Sequence, residues 1–107
     1  MDMLCVGEGE EPTAELLDSM EKGEIDTSIK NLWFKKDGEI IRNEIRTLTQ
    51  NLDDLPFPDR DLHDTQHYID KSGTIDLIAG RGCPYQSRYC VDPTNQEVFA
   101  DKGKFVR

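Results

Sequence analysis

The residues best suited to chemistry lie in one run, Arg81-Gly82-Cys83-Pro84-Tyr85-Gln86-Ser87-Arg88-Tyr89-Cys90. Positions 83, 87 and 90 are separated by three and then two residues. At that spacing a short loop can wrap a cubane iron–sulfur cluster and turn its backbone amides toward the sulfides. Cluster iron is soft and prefers thiolate. Three thiolates hold three irons and leave the fourth open to a substrate, but here the middle position is Ser87. A hydroxyl must lose its proton to bind iron, at a pKa far above that of a thiol. Cys83 and Cys90 with Ser87 are therefore expected to hold a cluster weakly.

The same residues allow other readings. Cys83 and Cys90 fit two unconnected thiols, or a disulfide across six intervening residues, which a reducing compartment disfavours. His63 and His67 are spaced by one helical turn and, with the two cysteines, would complete a four-ligand zinc set. Zinc knuckles, however, place paired cysteines two to four residues apart rather than six. Otherwise the histidines read as ordinary linker residues. Cys5, inside Met3-Leu4-Cys5-Val6, reads as a small buried hydrophobe.

With 107 residues the chain has enough material for one modest domain. Its 22 acidic residues against 13 basic ones give a net charge of −9, and no basic stripe is visible. That balance disfavours nucleic acid and anionic membrane surfaces as partners. No apolar run approaches the ~20 residues of a membrane span. The first residues lack the basic start and long apolar stretch of a secretory signal, so a cytoplasmic, reducing location is expected.

Several elements must position the cysteine run. The stretch 3–6 has the look of a short buried strand ended by Gly7. It opens into Glu8-Gly9-Glu10-Glu11-Pro12-Thr13, and a helix is predicted over 12–22. Pro12 suits the first helical position, acids crowd the first turn, and Gly23 suits the residue just past the end. Ala14, Leu17 and Met20 recur at helical spacing, with Leu16 beside them. Strands at 29–34 and 39–45 flank Asp37-Gly38, a strong hairpin signal, with Leu32 and Phe34 on one face and Trp33 on the other. From 49 to 72 the pattern breaks into an acidic, Pro-containing connector, pinned by Leu52, Leu55, Phe57 and Leu62. A strand at 74–79 then delivers the cysteine run, and the polar tail from Asp92 reads as weakly ordered. The expected class is a small α+β arrangement with open strand edges that invite self-association.

Three of these motifs together resemble the junction of a cobalamin-binding-domain radical S-adenosylmethionine protein, of the kind that includes anaerobic magnesium-protoporphyrin IX monomethyl ester cyclases and many methyltransferases. Val6-Gly7-Glu8-Gly9-Glu10 resembles the closing strand and turn of the cobalamin domain. The run Asn51-Leu52-Asp53-Asp54-Leu55-Pro56-Phe57-Pro58-Asp59 resembles the connector, and Arg81-Gly82-Cys83-Pro84-Tyr85 through Tyr89-Cys90 resembles the first strand exit and cluster loop of the barrel. The resemblance implies three segments. Residues 1–48 would close a Rossmann-like cobalamin domain, 49–72 would link, and 73–107 would open the barrel.

It further implies that Cys83 and Cys90 are the first and third ligands of a 4Fe-4S cluster, with Ser87 at the second position. Tyr89 would lie beside the adenine of S-adenosylmethionine, unless it is simply a core tyrosine. Gly7, Glu8, Gly9 and Glu10 would lie near the nucleotide tail of cobalamin, at the carboxyl end of a sheet strand. A turn before a helix is also often only a turn, and its acids make it a poor phosphate cradle. The parent would use all three cofactors for methyl transfer or radical cyclisation. This chain, lacking the front of one domain and the later strands of the other, is expected to be an inactive piece. The competing expectation is a non-catalytic interaction or structural zinc module.

Overall fold

The computed structural model describes residues 2–107. Its centre is a three-stranded antiparallel sheet in the order β1 (Met3–Cys5), β2 (Leu32–Lys36), β3 (Glu39–Arg42). Register pairs Met3 with Phe34 and Cys5 with Leu32, and on the other side Trp33 with Arg42. The hairpin forms as the sequence predicts, though its strands are shorter than 29–34 and 39–45. Asp37 and Gly38 adopt φ of 52° and 84°, the pair of positive values that a tight turn between right-twisted strands requires. Leu32 and Phe34 are buried on one face. Trp33 lies on the other, with the Arg42 guanidinium 5.3 Å from its ring centre.

Helix α1 (Glu10–Glu21) starts two residues earlier than predicted, so Pro12 falls inside its first turn and is fully buried. The helix ends as expected. Gly23 donates to the Met20 carbonyl at 3.0 Å and Glu24 to that of Ser19 at 3.2 Å, the paired bonds of a Schellman close. Its inward face differs from the predicted one. Leu16 packs on the core of Ile29, Leu32 and Phe34, whereas Leu17 and Met20 are exposed. The stripe is Pro12, Leu16 and Ser19, because a helix buries whichever face its neighbour covers.

Asn31 joins these pieces and is only 3% exposed. Its carbonyl accepts from the Val6 amide at 2.8 Å, and its own amide donates to the Glu44 carbonyl at 2.9 Å. The side chain donates to the Glu8 carbonyl at 3.1 Å and accepts from the Arg46 amide at 2.7 Å. These bonds hold it at φ 69°, a left-handed conformation that asparagine tolerates better than most residues. Asn43 acts similarly, donating to the carbonyls of Thr27, Ile29 and Leu32 at 2.7–2.9 Å.

The remainder departs further from expectation. The connector is not simply extended: it carries two short 3₁₀ turns (Leu52–Asp54 and Arg60–Leu62) and a helix, α2 (Thr65–Ser72). Leu52 and Leu55 are half-buried as pins, but Phe57 and Leu62 are exposed. Asp64 caps α2 by accepting from the His67 amide at 2.9 Å, and Gly73 closes it in the left-handed region. Residues 74–79 form no strand: Leu77 and Ile78 are exposed, the latter at 87%. Aliphatic, β-branched residues favour a sheet only where a neighbouring strand takes up their amides and carbonyls, and none lies alongside. Cys5 is exposed too, because β1 is an edge strand. The tail is ordered, contrary to expectation. It forms α3 (Asp92–Val98), buries Phe99, and stacks that ring on Phe105 at 6.4 Å. Among the described residues no helix is long and apolar enough to cross a membrane.

Replacing Asn31 separates its two roles. Asn31→Ala loses the side-chain bonds and also asparagine's tolerance of a left-handed φ, so a loss of roughly 3 kcal/mol is expected. Asn31→Gly loses the same bonds without the strain and should cost about 1 kcal/mol less. Urea unfolding of the two variants decides this; equal losses would show that the backbone conformation imposes no constraint.

Candidate functional site

The acidic turn and the approach to the cysteine run, 71 to 73 residues apart, meet in space. Arg81 directs one guanidinium nitrogen to Glu8 at 2.6 Å and the other to Glu10. Glu8 is the more heavily engaged acid. Its carboxylate also takes the Thr49 amide at 2.7 Å and the guanidinium of Arg107. The Arg107 side chain is 6% exposed and donates in addition to the carbonyls of Thr49 and Phe105.

The backbone reinforces this side-chain junction. Arg81 and Arg107 exchange both main-chain hydrogen bonds, at 2.7 and 3.0 Å, so the segment ending at 107 lies antiparallel against 80–82. Gly82 makes the approach possible. At φ 79° it sits so near the Phe105 carbonyl that a β-carbon would overlap it. A cleft of about 450 Å³ runs beside the junction, lined by Cys5, Gly7, Glu8, Arg81, Phe99 and Phe105 among others.

Burial alone would raise the Glu8 carboxyl, but the Thr49 amide and the two arginines outweigh it and hold Glu8 below the ordinary carboxylate range. Glu10 is lowered chiefly by its hydrogen bond from Arg81. Arg81 is correspondingly raised, first by Glu10 and then by Glu8. The Cys5 thiol is pushed up by partial burial and by the charge of Glu10, and it donates weakly to the Glu8 carbonyl at 3.8 Å.

The cysteine run is an irregular loop with one turn, in which the Cys90 amide donates to the Ser87 carbonyl at 3.1 Å. All three cysteines are free thiols. Cys83 and Ser87 are half-buried and Cys90 is exposed. The Gln96 side chain from α3 donates to the Cys83 carbonyl at 2.7 Å, and the Asp92 amide reaches the Cys90 sulfur at 3.5 Å. Tyr89 is 96% exposed, so it is not a core tyrosine. The four-ligand zinc set is not assembled: among the described residues no three His, Cys, Asp or Glu side chains are grouped to hold a metal ion. His63 precedes the cap of α2 while His67 lies within the helix, so the two are not stacked on successive turns.

Gly7 packs against Phe99, and Glu8 and Glu10 are committed to the arginines. The structure thus unites the predicted residues 7–10 with Arg81 and leaves Tyr89 apart in solvent. Sequence reading missed Asn31, Thr49 and Arg107. Only Asn31 carried a local signal, as an asparagine at a turn into a strand.

Comparison with known proteins gives one informative likeness. The chain is 32% identical over 91 residues to an uncharacterized methyltransferase of Pyrococcus horikoshii, a match covering 84% of this chain and 20% of that protein. The chain therefore spans about one fifth of the length of that relative. No family model matches it. No solved structure matches it significantly.

The lowered acids fix the sign of the pH response. The contribution of Glu8 and Glu10 is complete above the ordinary carboxylate pKa of ~4.3 and is lost as pH falls through their depressed folded values. Urea midpoints between neutral pH and about pH 3 should decline on the acid side, and the decline should be shallower in Glu8→Gln. Identical slopes in both proteins would mean that Glu8 contributes no proton-linked stability.

Proposed function

We infer that this chain is the junction segment of a methyltransferase-like enzyme of the cobalamin-domain radical S-adenosylmethionine class, and that it has no catalytic activity alone. The likeness to a methyltransferase across 84% of the chain is the observation that carries the reading. The order of the three sequence motifs supports it. So does the irregular course of residues 83–90, since a loop buried in a helix or a central strand could not wrap a cluster. In this reading residues 1–48 belong to one unit, 49–72 join, and 73–107 carry the cysteine loop.

The donor set does not fit the cofactor of that class. Cys83 and Cys90 supply two thiolates where three are needed, and Ser87 supplies a hydroxyl, a harder donor that must lose a proton far less acidic than that of a thiol. With a hydroxyl in place of the third thiolate the loop would hold a site-differentiated cluster with an open iron only weakly. The turn at 7–10 does not fit an anionic cobalamin tail either. Its two carboxylates already occupy the guanidinium groups of Arg81 and Arg107 that a phosphate would need, and Phe99 closes the side of Gly7. What the segment's own residues accomplish is mechanical: Glu8, Glu10 and Arg81 fix the start of the loop against the first unit.

Restoring the missing thiolate tests the reading. After anaerobic treatment with iron and sulfide, Ser87→Cys should become brown with broad absorption near ~400 nm, while the parent chain stays essentially colourless. A variant that remains colourless, or a parent chain that colours equally, would remove the loop's claim to cluster ancestry.

A further inference from the structure

We propose that Glu8 is a latch through which the acidic turn sets the position and accessibility of the cysteine loop, whether or not that loop ever carries a cluster. One carboxylate gathers chain positions separated from it by 41, 73 and 99 residues: Thr49, Arg81 and Arg107. Each belongs to a different segment, so a single group closes the connector, the loop entrance and the strand-like end at once. The latch is sheltered, with the Glu8 side chain 15% exposed, and its bonds are charge-assisted. Arg81 stands two residues before Cys83. Fixing that guanidinium and the paired backbone at 81 and 107 fixes the direction in which the loop leaves.

The three thiols differ in the way such a latch implies. Cys90 is exposed, and Cys5, whose thiol lies against the Glu8 carbonyl, is exposed on β1; only Cys83, in the loop that Arg81 leads into, is half-buried. The far side of Cys83 is secured separately by Gln96. The sheet does not use the Glu8 carboxylate: its core of Ile29, Leu32 and Phe34 and its Asn43 bonds involve no latch group, and Asn31 meets Glu8 only at the backbone carbonyl. Opening the latch should therefore free the loop and leave the sheet intact.

The test uses the full chain at neutral pH with three variants, Glu8→Gln, Arg81→Gln and the double substitution, and with Glu8→Asp as the conservative control. Alkylation of each cysteine is timed by peptide mass analysis, and amide hydrogen exchange is followed at Arg81, Arg107 and Phe34. Losing charge-assisted bonds at this site should speed modification of Cys83 and exchange at Arg81 and Arg107 by about tenfold or more. Cys90 and Phe34 should change little, and Glu8→Asp should fall between parent and Gln. The double variant should fall short of the product of the two single effects, because the Glu8–Arg81 link is shared by both. Unchanged Cys83 and Arg81 would overturn the proposal. So would equal loosening at Phe34, which would make Glu8 a general stabiliser.

Discussion

A carboxylate with two guanidinium groups and a backbone amide converging on it is the constraint around which this chain is arranged. Glu8 occupies a site where desolvation alone would favour the neutral acid, and the three donors reverse that preference. The arrangement makes sense for a chain with a net charge of −9, in which basic groups are scarce. Arg46 serves Glu11 and Glu15, Arg81 serves Glu8 and Glu10, and Arg107 serves Glu8. Three arginines thus pair with four acids of the turn at 8–10 and the first two turns of α1. Those acids already benefit from the positive end of the helix, so the arginines fasten distant segments to a site where negative charge is tolerated.

Asn31 is the neutral counterpart of that hub. Side chain and backbone together connect β1, the acidic turn and the run after β3, and its buried side chain leaves neither amide group unpaired. Between them, Glu8 and Asn31 hold the turn from two sides: Asn31 bonds the Glu8 carbonyl and the arginines bond the Glu8 carboxylate. The turn is therefore rigid for reasons unrelated to its glycines, and a rigid turn is what lets a remote loop be placed by it.

Features set by neighbours in sequence were legible. Asp37-Gly38 dictates a hairpin because both residues accept positive φ, and Gly23 ends α1 for the same kind of reason. Helix α2 was equally written, in Asp64 at its cap and Gly73 at its close, but the prolines upstream drew the reading toward an extended connector. Asp92-Pro93 likewise announced α3. What could not be read depends on partners far along the chain. The inward stripe of α1 was set by the sheet it meets, and the aliphatic run at 74–79 lacked the neighbour that makes such a run a strand. The ionic junction joins residues 8, 49, 81 and 107, and nothing local to any of them specifies the others.

The course of the loop follows from what holds its two ends. At the entrance, the antiparallel bonds between Arg81 and Arg107 fix the backbone just downstream of the unpaired 74–79 run. Inside the loop, Gln96 fixes the Cys83 carbonyl from α3, while the Ser87–Cys90 turn and the Asp92 amide shape the exit. Every one of these contacts is made by protein groups, and none requires a metal to form. In the Ser87–Cys90 turn it is the backbone of Ser87 that accepts, so the side chain at 87 bears on the chemistry of the loop rather than on its shape.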